Sequence, residues 1–137
     1  MAERKILVID DTPTMRMIVS GMLQDLGFVD IVEAENADMA LELVQKGDVA
    51  IALLDWNLPG RSGIEFLRQI RALSAHRELP IVMMTSNNDP KQIEEARRAG
   101  VSSYLVKPFG AADLLSRLDE ASLVHAAATA PAEATKN

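Results

Sequence analysis

The chain has 137 residues, a length that suits one domain with its own core. Its net charge of −6 argues against a nucleic-acid-binding surface. It has no cysteine, which excludes a disulfide framework and thiolate chemistry.

The opening MAERK is charged and precedes only a short apolar run, too short for the core of a signal peptide, and no later run approaches a membrane span. The expectation is a soluble cytoplasmic protein, monomeric and not inserted in a membrane. Ile6–Ile9 is a continuous apolar run, the pattern of a strand buried on both faces. Two adjacent carboxylates, Asp10 and Asp11, follow it. Thr12 then reads as an N-cap with Pro13 at the first helical position. Met15, Ile18, Val19, Met22, Leu23 and Leu26 form one helical stripe, and Gly27 is its stop. Val29–Glu33 is a weaker strand. Asn36 caps a second helix carrying Ala37, Ala40, Leu41 and Val44, which ends near Gly47.

Ala50–Leu54 is a third strand of the buried type, and Asp55 follows it. Ser62 and Glu65 have capping-box spacing for a third helix through Leu67 and Ile70. Pro80–Met84 is the fourth strand, followed by Thr85. Asp89, Pro90 and Gln92 open a fourth helix that ends at Gly100. Its apolar face is thin, Ile93, Ala96 and Ala99 among Glu94, Glu95, Arg97 and Arg98, so it should be loosely held. Ser103–Val106 is the fifth strand, with Lys107 after it, and a fifth helix runs from about Ala111 to Leu123. The alternation predicts an α/β fold over 1–124: five (βα) units, an open parallel sheet and helices on both faces. Residues 125–137, with no large apolar side chain, are expected to be a disordered tail.

In such a sheet, ligands bind beyond the carboxyl ends of the strands. Asp10, Asp11, Asp55, Thr85 and Lys107 should therefore converge. Carboxylates that close repel one another unless protonated or bound to a cation, and oxygen donors suit a hard ion such as Mg²⁺. An aspartate can attack phosphorus, while an ammonium and a hydroxyl hold phosphoryl oxygens.

The segments VIDD, LLDWNLPGRSG, VMMTS and AGVSSYLVKPF, in that order and spacing, resemble the receiver domain of bacterial two-component response regulators. The likeness spans roughly residues 4–124 and is nearest to the single-domain chemotaxis regulators. It implies a flavodoxin-like doubly wound sheet of order 2-1-3-4-5. It implies that Asp55 accepts a phosphoryl group from a sensor histidine kinase. Mg²⁺ would be held by Asp11, Asp55 and the Asn57 backbone carbonyl, with Asp10 acting through water. Thr85 and Lys107 would contact the phosphoryl oxygens, Tyr104 would be a switch aromatic moving with Thr85, and Lys107–Pro108 would be cis. Ile93, Tyr104 and Arg117 would lie on the output surface, where a target such as a flagellar motor switch protein binds.

Some positions depart from the common pattern. Arg61-Ser62-Gly63 replaces a frequent Met-Asp-Gly. Asn57 and Asn87 are uncharged at positions flanking the path of an attacking water. The fourth helix begins with more acid (Asp89, Glu94, Glu95) than expected for a partner with an acidic peptide. The resulting expectation is a signalling switch, catalysing only its own phosphorylation and dephosphorylation. Alternatives are a phosphorelay shuttle or phosphate sink in another pathway, and a Mg²⁺-dependent phosphatase with an aspartate nucleophile. The phosphatase needs an aspartate two residues after the nucleophile near the first strand, where this chain has Thr12 and Pro13.

Overall fold

The computed structural model describes residues 5–129. Strands and helices alternate in the order β1 (Lys5–Ile9), α1 (Pro13–Asp25), β2 (Ile31–Ala34), α2 (Ala37–Gln45), β3 (Val49–Asp55), α3 (Gly63–Ala72), β4 (Ile81–Thr85), α4 (Pro90–Ala99), β5 (Ser103–Val106) and α5 (Ala111–Thr129). One turn of 3-10 helix, Ser74–His76, follows α3. All strand pairs are parallel, and the sheet order is β2-β1-β3-β4-β5.

The period of two along a strand divides the core into two layers. Leu7, Ile9, Ala52, Leu54, Ile81 and Met83 face one side, against Ala40 and Val44 of α2, Phe66, Leu67 and Ile70 of α3, and Ala96 of α4. Ile6, Val8, Ile51, Leu53, Val82 and Met84 face the other, against Val19 and Leu23 of α1 and Leu114, Leu118 and Ala121 of α5. Each large side chain sealed this way contributes about 1.5–3 kcal/mol relative to exposure, which is why the inner strands are apolar on both faces.

Caps follow local chemistry. The Asn36 side chain accepts from the Met39 N–H at 2.8 Å, and Ser62 and Glu65 complete a reciprocal capping box. Thr12 occupies the N-cap of α1, but its side chain makes no capping bond. Its own N–H donates to the Asp10 carboxylate at 2.9 Å, so the turn is closed by the aspartate.

Several boundaries differ from expectation. β2 begins at Ile31, and Val29 is 86% exposed, because only from Ile31 does the segment pair with β1. Ile18 is 45% exposed, since α1 turns only the Val19–Leu23 side to the sheet. β3 and β4 include Asp55 and Thr85, which still have pairing partners, Met84 and Val106. α5 continues to Thr129, through Ala126, Ala127 and Ala128, residues of the highest helix propensity. Of the expected tail, 130–137 lies outside the described residues. α4 buries only Ala96, in keeping with its thin apolar face.

Candidate functional site

The carboxyl ends of the strands form one rim. The sheet order reverses between β1 and β3, so Asp10 and Asp55 flank the crevice where such folds bind ligands. Asp10 and Asp55 are buried, at 1% and 5% exposure, while Asp11 is exposed. One oxygen from each of the three lies within 4.8 Å of the others. Lys107 Nζ stands 3.1 Å from Asp55 Oδ1 and 3.4 Å from Asp10 Oδ2. The Lys107 N–H donates to the Thr85 carbonyl at 2.7 Å, and the Lys107–Pro108 peptide is cis.

Burial pushes the Asp55 carboxyl above its ordinary value. Lys107 and the Asn57 N–H pull it back, and the nearby Asp10 pushes it further up. The donor set is all oxygen, two buried carboxylates and one facing solvent, and it fits a hard divalent cation.

Arg16 braces this corner. It donates to the Asp10 carbonyl at 2.6 Å and pairs with Glu33 at 3.0 Å, and Ser20 donates to the same Glu33 carboxylate. In the sequence Arg16 sits on the polar side of the α1 stripe, and nothing local marks its contact with Asp10.

Thr85 is buried at the end of β4, but its hydroxyl is engaged on the α4 side. It donates to Gln92 Oε1 at 3.2 Å and accepts from the Asn87 N–H at 3.2 Å. Tyr104 is half-buried, its hydroxyl 2.9 Å from the Asn87 carbonyl and 3.1 Å from the same Gln92 oxygen. Burial raises the phenol pKa. The structure thus gathers Asp10, Asp11, Asp55 and Lys107, and links Thr85 to Tyr104 both directly and through Asn87 and Gln92. Gln92 carried no signal beyond its place in a helix start.

Asn57 is exposed on the loop after β3. Trp56 is half-buried against the α2–α3 side of the core. Ile93, Tyr104 and Arg117 line one cleft of about 390 Å³, together with Arg97, Ser103 and Glu120. Arg117 is paired with Glu120 at 2.8 Å there.

The model of the response regulator receiver domain matches residues 6–119. The chain belongs to that family. Its receiver domain is 47% identical over 116 residues to the chemotaxis protein CheY-3 of Vibrio cholerae serotype O1, covering 85% of this chain and 89% of that one. It is 41% identical to the chemotaxis protein CheY of Pseudomonas aeruginosa, with 85% and 94% covered. Among solved structures, Vibrio cholerae CheY4 superposes with a TM-score of 0.80 at 33% identity, over 88% of this chain and 99% of that one. The receiver domain of the sensor histidine kinase PA1611 of Pseudomonas aeruginosa, solved with magnesium in its active-site cleft, gives 0.77 at 30% identity, over 86% and 96%. The receiver is therefore a CheY-like module of two-component signalling. Among its described residues no helix is long and apolar enough to cross a membrane.

Proposed function

We propose that this receiver is a phosphorylation-activated switch with Asp55 as phosphoacceptor. One observation carries the proposal: a buried Asp55 lies between the Lys107 ammonium and an acidic pair whose oxygens come within 4.8 Å of its own. An Asp55 oxygen attacks the phosphorus of a phosphohistidine on a sensor kinase. The P–O bond forms as the P–N bond breaks, and the electron pair leaves on the imidazole nitrogen, which takes up a proton. Lys107 leaves its carboxylate partners for the incoming phosphoryl oxygens, and the Thr85 hydroxyl turns to donate to another. Asp11, Asp55 and the Asn57 carbonyl, with Asp10 through water, would hold Mg²⁺, which would supply neutralisation of phosphoryl charge. Water later attacks the acyl phosphate, restoring Asp55 and releasing inorganic phosphate.

Signal leaves by a shift between conformers. Tyr104 moves with Thr85, and the face of Ile93, Tyr104 and Arg117 binds a target protein. Likeness to several chemotaxis proteins favours chemotaxis, with a flagellar motor switch protein as the target. The magnesium in the PA1611 cleft supports the choice of ion.

Beryllofluoride, a phosphoryl mimic, tests the assignment. With Mg²⁺ it should change Trp56 emission in the wild-type protein and leave Asp55→Asn silent. An equal response in both would refute Asp55 as acceptor.

A further inference from the structure

We infer that Gln92, in the first turn of α4, is a positioning residue that holds the Thr85 hydroxyl away from Asp55 and competes with the phosphoryl group for it; this rests on Asp55 as phosphoacceptor. The Thr85 hydroxyl has a single hydrogen, directed to the α4 side, where Gln92 Oε1 lies at 3.2 Å and the Tyr104 hydroxyl is its other neighbour. Its oxygen already accepts from the Asn87 N–H. A phosphoryl oxygen on Asp55 gains that hydrogen only when the α4 side loses it.

The same Gln92 oxygen lies 3.1 Å from the Tyr104 hydroxyl, whose one proton also has the Asn87 carbonyl within 2.9 Å. When Thr85 leaves, Gln92 Oε1 faces Tyr104 alone and competes better for the phenol proton. Gln92 therefore couples the state of Asp55 to the side chain that borders the Ile93–Arg117 cleft. α4 can follow the change because Ala96 is its one buried residue among those described.

Two substitutions should act in opposite directions, which a merely structural role does not produce. Gln92→Leu removes the competing amide acceptor and leaves the buried Thr85 hydroxyl with only Tyr104 on the α4 side to take its hydrogen in the resting state. It should bind beryllofluoride roughly threefold to tenfold more tightly, the worth of about one neutral hydrogen bond. Gln92→Glu supplies a charged, stronger acceptor and should weaken beryllofluoride by a similar factor at pH 8. Mg²⁺ affinity without beryllofluoride should stay within about twofold of wild type in both. In a Thr85→Ala background the Leu substitution should have no effect on beryllofluoride affinity.

Titrations followed by Trp56 emission and fluorine NMR of bound beryllofluoride read all of this on the full chain. The inference is overturned if the Leu and Glu variants shift in the same direction or not at all, or if the Leu effect survives in Thr85→Ala. Failure of the phosphoacceptor assignment is separable, since wild type would then not bind beryllofluoride through Asp55.

Discussion

At Asp55 burial and Lys107 pull in opposite directions, and burial prevails. The folded carboxyl holds its proton more tightly than the unfolded one. Its contribution therefore favours the fold most below the unfolded value of 3.8, and declines as pH rises through the raised folded value. At neutral pH the ionised Asp55 works against the metal-free fold. Asp55→Asn should therefore raise the metal-free melting temperature at pH 7. The gain should shrink towards pH 4. A lower melting temperature than wild type at pH 7 would mean that the Lys107 pair outweighs burial. The acidic pair was legible as a candidate cation site from its residue types, and the family resemblance divided its roles, Asp11 direct and Asp10 through water; the different burial of the two came only with the structure. Asp10 is buried and bonded to Thr12 and Lys107, while Asp11 faces solvent.

Helix α3 positions the loop that follows Asp55. Its first residue, Gly63, donates its N–H to the Trp56 carbonyl at 2.8 Å. A Cβ built at Gly63 would lie 2.3 Å from the Asp55 carbonyl oxygen and 3.0 Å from the Trp56 Cα, both backbone atoms that cannot rotate away. Gly63→Ala must therefore move the end of β3 or the start of α3. It should destabilise by about 2 kcal/mol in chemical denaturation and abolish the beryllofluoride response of Trp56. Gly21→Ala in α1, where a Cβ meets nothing within 4 Å, should instead stabilise by about 0.5–1 kcal/mol. Full function in Gly63→Ala would contradict this packing. Caps at Asn36, Ser62 and Asp89 were readable because each bonds within three residues. The end of β3, the start of β2 and the exposure of Ile18 were not, because a strand stops where its neighbour stops and a helix buries only what the sheet covers.

Stability is unevenly distributed over the molecule. β1, β3 and β4 are sealed between two core layers, whereas α4 adds little to either. The far end of α4 is anchored by Arg71 of α3, which donates to the Gly100 carbonyl at 2.8 Å and to Ser102 Oγ at 3.4 Å. Burial lowers the Arg71 pKa to about 10, so it remains a cation at neutral pH. The other end is tied through Gln92, whose Oε1 accepts from the buried Thr85 hydroxyl at 3.2 Å. Hydrogen exchange should show the amides of α4 opening by local fluctuation, while β3 and β4 exchange only on global unfolding. Equal protection in α4 and β3 would refute this ordering. Along the chain, periodicity, caps and strand-end residues were enough for the α/β class, the five (βα) units and the acidic site, because each depends on neighbours a few residues away. The grip of Lys107 on Asp10 and Asp55, the reach of Arg16 to Asp10 and the sharing of Gln92 by Thr85 and Tyr104 came only with the assembled sheet. Those partners meet because parallel strands and right-handed crossovers bring segments distant in sequence to one rim, and no local pattern encodes which rotamer each then adopts.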